Sequence, residues 1–491
     1  MENQKSIIVS SRLPVNIELK DGDWGFQNNE DEFIPGLSDI YDSKDNNLWI
    51  GWPGEAVADA EMRTHIQVAM QAEKLLPVWL SEAEAGACYE GFCKEVLWPV
   101  FHYLPSSTSF NHHHWEAYIT ANQKFADLIL AHTRPQDIIW IHDYQLLLLP
   151  ELIRKKMPEA RIGLFQHIPF PSPDIFRLIP WRNELLYGML GADLIGFQTT
   201  EDCNHFMDAA KRMLPDAAAT GPDSIRMGRR NIKTEAFPMG IDYQKHEQQV
   251  LQITTRRNVH KLSRMIDHKK LMLSVDHLDY NKGIRERLDA YEIFLENHPE
   301  YQEKIVLLQL IVPHRGDKTK QHILLKKEID KRIAGINARW GSLTWQPICY
   351  FYRSFPREML SALYAAADIA LVTPLRDGMN LVSKEYVASR TGRTGVLILS
   401  EMAGACNELQ DALMINPHNC LEAANAIYTA LNMSLMEQRH RMEHMQEGLR
   451  RNDVHYWAET FISRLRTGSR NMQLLKNKAE VWSSYAYSPT A

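Results

Sequence analysis

Short apolar runs alternate with longer amphipathic stretches through most of the chain. The runs predict strands over Ser6–Ser10, Leu48–Gly51, Leu76–Leu80, Ile138–Ile141, Ile162–Gln166 and Leu194–Phe197. Apolar residues at helical spacing fill the gaps, as over Trp115–Ala131 and Asp202–Met213. Such alternation builds a parallel sheet with helices on both faces. Near Pro215–Arg230 the pattern breaks into a stretch rich in Gly, Asp and Arg. It resumes with runs at Leu271–Val275, Ile305–Ile311, Ile369–Val372 and Val396–Leu399, each leading into a helical stretch. The expected fold class is α/β: two Rossmann-like parallel-sheet domains facing across a cleft, with a boundary near Met239–Asp242. The expected divisions are residues 1–240, residues 241–455, and a C-terminal helix with a tail over 456–491 that packs back on the first domain. Helices from Leu421 to about Leu475 carry many charges and are expected on the outside, and the tail after Lys476 has little pattern.

Composition fits this picture. A chain of 491 residues is too long for one core. With 45% hydrophobic and 24% charged residues it is ordinary globular material, not a disordered segment. A net charge of −6 announces no nucleic-acid face and no polybasic membrane face. Groups that bind phosphate must therefore be local. No apolar run reaches the length of a membrane span; Leu146–Leu149 reads as a helix start. Cys88, Cys93, Cys203, Cys349, Cys406 and Cys420 form no CxxC pair. The start, Met1 to Lys5, runs straight into Ile7-Ile8-Val9 without a leader pattern, so reduced thiols and a cytoplasmic protein are the expectation.

In open parallel sheets, ligands sit at the carboxyl ends of the strands. Arg12, His142-Asp143, His167, Asp276-His277, Arg315 and Arg376-Asp377 each follow an apolar strand immediately. One polar residue in such a place is usually a turn or a helix cap. Six places carrying charge or imidazole point to binding. Lys282, in Asp279-Tyr280-Asn281-Lys282-Gly283, puts a cation beside a helix start whose free amides also attract anions. In Arg376-Asp377-Gly378-Met379-Asn380-Leu381, the amides of Gly378 to Leu381 open a second helix and suit a diphosphate. Glu385, about one turn further, suits a ribose, and Asp377 suits sugar hydroxyls. His167 is braced by Pro169 and Pro171, and Arg315 follows in a loop containing Gly316.

Taken in order, Ser11-Arg12-Leu13-Pro14-Val15, Trp49-Ile50-Gly51-Trp52-Pro53-Gly54, Leu97-Trp98-Pro99-Val100-Phe101-His102-Tyr103, His142-Asp143-Tyr144, His167-Ile168-Pro169-Phe170-Pro171-Ser172-Pro173 and Asp377-Gly378-Met379-Asn380-Leu381-Val382 resemble the trehalose-6-phosphate synthases. The likeness runs from about Ile7 to Leu465. It implies a GT-B fold and a retaining, metal-independent transfer of glucose from UDP-glucose, or another nucleotide-glucose, to glucose 6-phosphate. No cofactor is implied, and self-association is compatible with it. Carried over residue by residue, Arg12, Tyr89, Trp98 and Arg315 would hold the acceptor's phosphate, and Asp143 the acceptor sugar. His167 and Asp377 would hold the donor glucose. Lys282 would meet the diphosphate, helped by the amides of Met379, Asn380 and Leu381, and Glu385 would hold the ribose.

Two positions depart from that family's pattern. His277 stands where an arginine normally accompanies the lysine on the donor diphosphate; imidazole is shorter and lacks the bidentate fork. Counting back from Gly36-Leu37, Asp31-Glu32-Phe33 stand where a Gly-Gly-Leu normally closes over the donor. Both changes fall on the donor side, whereas the acceptor-phosphate set is intact. Three readings stay open: a transferase making trehalose 6-phosphate, a weak or inactive relative acting as sugar-phosphate sensor or regulatory subunit, and a transferase with another donor or acceptor. No phosphatase segment follows, so dephosphorylation is expected of a separate protein. Other motifs are read as bland. Asp21-Gly22-Asp23 is a polar turn and not a metal motif, His112-His113-His114 an exposed loop, and Met433, Met436, Met442 and Met445 core filler.

Overall fold

A computed structural model describes residues 5–20, 23–28, 37, 47–267, 269–313 and 320–467. The chain divides into two units, one running to Phe237 and taking in the residues from Trp457, the other spanning Pro238–Tyr456.

The strands of the first unit are β1 (Ser6–Arg12), β2 (Val15–Lys20), β3 (Asp23–Asn28), β4 (Asn47–Trp52), β5 (Leu75–Pro77), β6 (Ile138–His142), β7 (Arg161–Phe165), β8 (Leu194–Phe197), β9 (Ala217–Gly221), β10 (Ser224–Met227) and β11 (Arg230–Ala236). Among the described residues, nine form one sheet in the order β5-β4-β1-β6-β7-β8-β11-β10-β9, and β2 pairs with β3 alone. Pairing is parallel from β5 to β11 and antiparallel from β11 to β9. The stretch read as a break in the pattern is thus partly sheet. Its strands are short and polar, and Gly228, at φ 57°, makes the tight turn between β10 and β11. The strand expected to reach Leu80 stops at Pro77, which has no N–H for the ladder, although Val78 still donates to the Gly51 carbonyl (2.8 Å).

The second unit holds β12 (Lys270–His277), β13 (Ile305–Val312), β14 (Ile348–Tyr352), β15 (Ile369–Val372), β16 (Val396–Ser400) and β17 (Leu413–Ile415). They form an all-parallel sheet in the order β14-β13-β12-β15-β16-β17. The expected strand set omits β14 and β17. The fold is α/β of the GT-B type, with two mostly parallel sheets.

Each sheet has one point where the chain reverses the direction in which it adds strands. In the first it lies between β1 and β6, in the second between β12 and β15. The loops leaving the two neighbouring strands part there, which opens a crevice at the carboxyl ends. Arg12, His142-Asp143, His277 and Arg376-Asp377 all stand at or just beyond those four strand ends.

The last described segment, 454–467, is helical and only partly on the surface. Trp457, Phe461 and Leu465 are buried, with Trp457 and Phe461 packed on Trp140 (ring centroids 5.1 and 5.0 Å) and on Phe165 (4.9 and 5.8 Å). The approach requires small residues in the sheet: a Cβ on Gly163 would lie 2.7 Å from the Phe461 ring. Met442 and Met445 are core residues, but Met436 is exposed, because it lies on the outer face of helix Leu435–Arg451. His112–His114 form the first turn of helix His112–His132, not a loop, because Asn111 caps it by accepting from the His113 N–H (2.9 Å). All six cysteines are free thiols. Among the described residues no helix is long and apolar enough to cross a membrane, and no group of three or more acidic, His or Cys side chains is placed to hold a metal. Asp21, Gly22 and the tail after Lys476 lie outside the described residues; Asp23 opens β3.

Candidate functional site

In the first unit, β1 delivers Arg12 and β6 delivers Asp143. The Arg12 guanidinium lies over the Trp52 ring, 4.5 Å from its centroid. Trp52 in turn stacks on Tyr89 at 5.0 Å and 10°. The Tyr89 hydroxyl donates to the Ser11 carbonyl (3.0 Å), next to Arg12 in the chain. The aromatic wall takes up the face of the guanidinium, whose N–H donors lie along its edge. Trp98 packs on His102 and Tyr144, with ring centroids 4.0 and 5.9 Å away, and His102 Nδ1 lies 2.9 Å from the Trp98 carbonyl.

Asp143 has φ 75° and ψ 171°, a backbone region that residues with a Cβ avoid. Burial pushes its carboxyl up to about 7, against the pull of backbone N–H groups of Tyr144, His167 and Ile168. His167 follows β7. Its loop is pinned where the Phe170 N–H donates to Asp202 (2.8 Å) and the Ser172 N–H to the Tyr103 hydroxyl (2.8 Å). Burial lowers the His167 imidazole to about 3, so it is neutral at any working pH. His142 Nδ1 lies 3.0 Å from His167 Nε2.

In the second unit, β12 and β15 bring Lys282 and Asp377 together across 95 residues of sequence. The Lys282 ammonium donates to Asp377 Oδ2 at 2.8 Å. Burial alone would lower the Lys282 pKa, but the Asp377 carboxylate outweighs it and the ammonium is held above its ordinary value. Asn380 Nδ2 donates to the same oxygen (2.9 Å), and the Gly378 N–H donates to Oδ1 (3.0 Å). That Gly378 amide is therefore directed at Asp377. Asn380, left-handed at φ 53°, caps helix Leu381–Ser389 by accepting from the Ser383 N–H (3.1 Å). The amides of Met379, Asn380 and Leu381 lie at this helix start, where the peptide dipoles favour negative charge. One turn on, Glu385 accepts from the Tyr364 hydroxyl (3.0 Å); burial, then the Glu385 carboxylate, pushes that phenol well above its ordinary pKa. His277 is exposed at the end of β12. Asp276 differs from the other strand-end residues. It is buried and ion-paired with Arg287, so it supports the site from below.

Arg287 is the group that sequence reasoning passed over. It is fully buried, donates to Thr373 Oγ1 (3.0 Å) and to the Lys282 carbonyl (3.1 Å), and so ties the two strand-end loops together. A signal existed: Ile284, Arg287, Leu288 and Tyr291 share one helix face, and an arginine within an apolar stripe is rarely there without partners. Lys384 is a second case, buried beside Glu408 and donating to the Met239 carbonyl (2.8 Å). Burial lowers its pKa, while Glu408 opposes the shift. Arg315, Gly36, Asp31 and Glu32 lie outside the described residues.

Residues 4–467 match the model of glycosyltransferase family 20. The chain is 36% identical over 466 residues to an alpha,alpha-trehalose-phosphate synthase (UDP-forming) of Dictyostelium discoideum, covering 95% of this chain and 63% of the relative. It is 40% identical to a bifunctional trehalose-6-phosphate synthase/phosphatase of Thermoproteus tenax, over 93% of this chain and 62% of that one. It therefore spans less than two thirds of either relative. A crystal structure of an alpha,alpha-trehalose-phosphate synthase (UDP-forming) from Burkholderia xenovorans in complex with glucose-6-phosphate superposes with a TM-score of 0.83 at 30% identity, covering 94% of this chain and all of that one (100%). With a family match that takes in both sheets and all four strand ends, this chain belongs to glycosyltransferase family 20.

Proposed function

We propose that this protein transfers glucose from UDP-glucose to glucose 6-phosphate with retention, giving trehalose 6-phosphate and UDP. The observation that carries the reading is the similarity, over 95% of this chain, to a UDP-forming trehalose-phosphate synthase, together with charged groups at both sheet crevices. In this reading Arg12, Tyr89, Trp98 and Arg315 take the acceptor phosphate and Asp143 the acceptor sugar. His167 and Asp377 are each assigned to donor glucose hydroxyls, Glu385 to the ribose, and Lys282 and His277 to the diphosphate with the amides of Met379 to Leu381. The first unit is thus the acceptor domain and the second the nucleotide-sugar domain.

The chemistry follows from charge. As UDP departs, negative charge grows on a phosphate oxygen, and a fixed ammonium and oriented amides stabilise it with little reorganisation. The acceptor hydroxyl attacks the anomeric carbon from the face the leaving group vacates, its C–O bond replacing the one to UDP and its proton passing to the departing phosphate oxygen, so no protein nucleophile is needed and the anomeric configuration is kept. Lys282 is held charged by Asp377, which suits this task. The test is turnover with a panel of nucleotide sugars, with and without glucose 6-phosphate. The reading expects UDP release from UDP-glucose that depends on glucose 6-phosphate. Binding of glucose 6-phosphate without turnover of any nucleotide sugar would make the protein a sensor instead.

A further inference from the structure

His142 is fully buried at the end of β6, and its Nδ1 lies 3.0 Å from Nε2 of His167. Both rings are neutral: burial and the neighbouring imidazole hold His142 well below its ordinary pKa, and burial alone does so for His167. A short contact between two neutral imidazoles needs one proton between them, so one ring donates and the other accepts. The surroundings decide which. His142 lies among Trp140, Phe165 and Trp457, with ring centroids 4.5, 6.4 and 6.3 Å away. Its other nitrogen, Nε2, is buried with no hydrogen-bond partner, as are the indole nitrogens of Trp140 and Trp457. If His167 donated, His142 would carry its proton on Nε2 and add a third orphaned N–H to this shell. If His142 donates from Nδ1, only an acceptor lone pair is left unmet. Orphaned buried N–H groups are the rarer and costlier case.

We infer that His142 is a positioning residue that donates from Nδ1 to His167 Nε2 and so fixes His167 as the tautomer protonated on Nδ1. His167 then offers its ligand a hydrogen-bond donor and no free acceptor, which selects a hydroxyl oxygen as the atom it meets. This rests on the function proposed above, in which that ligand is the donor sugar. The arrangement was written in the sequence only as His142 preceding Asp143; the 25 residues to His167 are closed by the pairing of β6 with β7.

The experiment uses the full chain labelled with ¹⁵N in its histidine rings, with His167 assigned by its loss in His167→Gln. Long-range proton–nitrogen correlation is expected to show His167 protonated on Nδ1 and bare on Nε2. His142→Phe, which keeps a flat apolar ring without the donor, is expected to give mixed tautomers and to lower kcat about tenfold or more, the scale on which groups that orient a functional histidine act. Its KM for glucose 6-phosphate should stay near that of the wild type. His142→Asn, whose amide nitrogen overlays Nδ1, is expected to restore most of the rate. A wild-type His167 protonated on Nε2, or a folded His142→Phe protein with unchanged kcat, overturns the inference. If His142→Phe does not fold, the wild-type spectrum decides alone. A wild type that turns over neither sugar contradicts the proposed function but leaves the tautomer result standing.

Discussion

Asp143 combines a backbone conformation that glycine would hold more easily with a carboxyl raised from 3.8 to about 7 by burial. Strain and desolvation held at one residue mark a place shaped for a ligand and not for stability. The sign of the linkage is definite. The folded state binds this proton more tightly than the unfolded chain, so stability falls as pH rises from about 4 to about 7 and is level beyond. Asp143→Asn removes the charge and keeps an oxygen for the three backbone donors. Thermal melts should place the variant roughly 2–6 °C above wild type at pH 8, with most of that gain gone at pH 4. A constant difference across pH would show that Asp143 is not the buried acid. His277 poses the opposite problem, since an imidazole is shorter than a guanidinium and lacks its bidentate fork for a leaving diphosphate. Loss of one such donor typically costs about 2.7–4 kcal/mol in the transition state. His277→Arg is therefore expected to raise turnover with UDP-glucose roughly tenfold or more. An arginine variant no faster than wild type would move the limitation away from His277.

The elements that position the site turn on a few backbone points. Gly283 sits at φ 62° between Lys282 and helix Ile284–Asn297, and a Cβ there would lie 2.1 Å from the Thr373 carbonyl oxygen. Gly283→Ala should destabilise the second unit by about 1–3 kcal/mol or more and shift Lys282 from Asp377. Urea unfolding together with UDP titration checks this: both stability and UDP affinity should fall, and unchanged UDP affinity would separate Lys282 from nucleotide binding. What was legible in the sequence follows the same logic. Strands such as Ile305–Val312 are apolar but for the buried Gln309, because both faces are covered, so they stand out from any background. The charged residue at or after each run marks the strand end, which is why Arg12, Asp143 and Asp377 stand out as candidates in the sequence. Strand order leaves no comparable mark. The pairing of Lys282 with Asp377 depends on β12 lying beside β15, and no local pattern announces it. The polar strands β9 to β11 and the buried Arg287 were illegible for the related reason that tertiary neighbours, not periodicity, make them stable.

At the scale of the molecule, two sheets present charged strand ends at their switch points, and each follows the same geometric rule with different residues. The first unit offers a guanidinium on an aromatic wall, a buried acid and a neutral imidazole. The second offers an ammonium, a carboxylate and a capped helix start. The described residues from Trp457 onward belong to the first unit although they follow the second in sequence, because Trp457 and Phe461 cover Trp140 and Phe165 beside the His142–His167 pair. A cation in each unit suits the proposed reaction, which joins one sugar phosphate to one nucleotide sugar. The most direct test is the identity of the product. UDP-glucose and glucose 6-phosphate are incubated with the full chain, and the mixture is followed by proton NMR and by UDP release. The account predicts one UDP for each molecule of trehalose 6-phosphate, with both anomeric protons in the α configuration, and loss of the reaction in Lys282→Ala and in Arg12→Ala. A β-linked product, free glucose in place of disaccharide, or full activity in Lys282→Ala would contradict it.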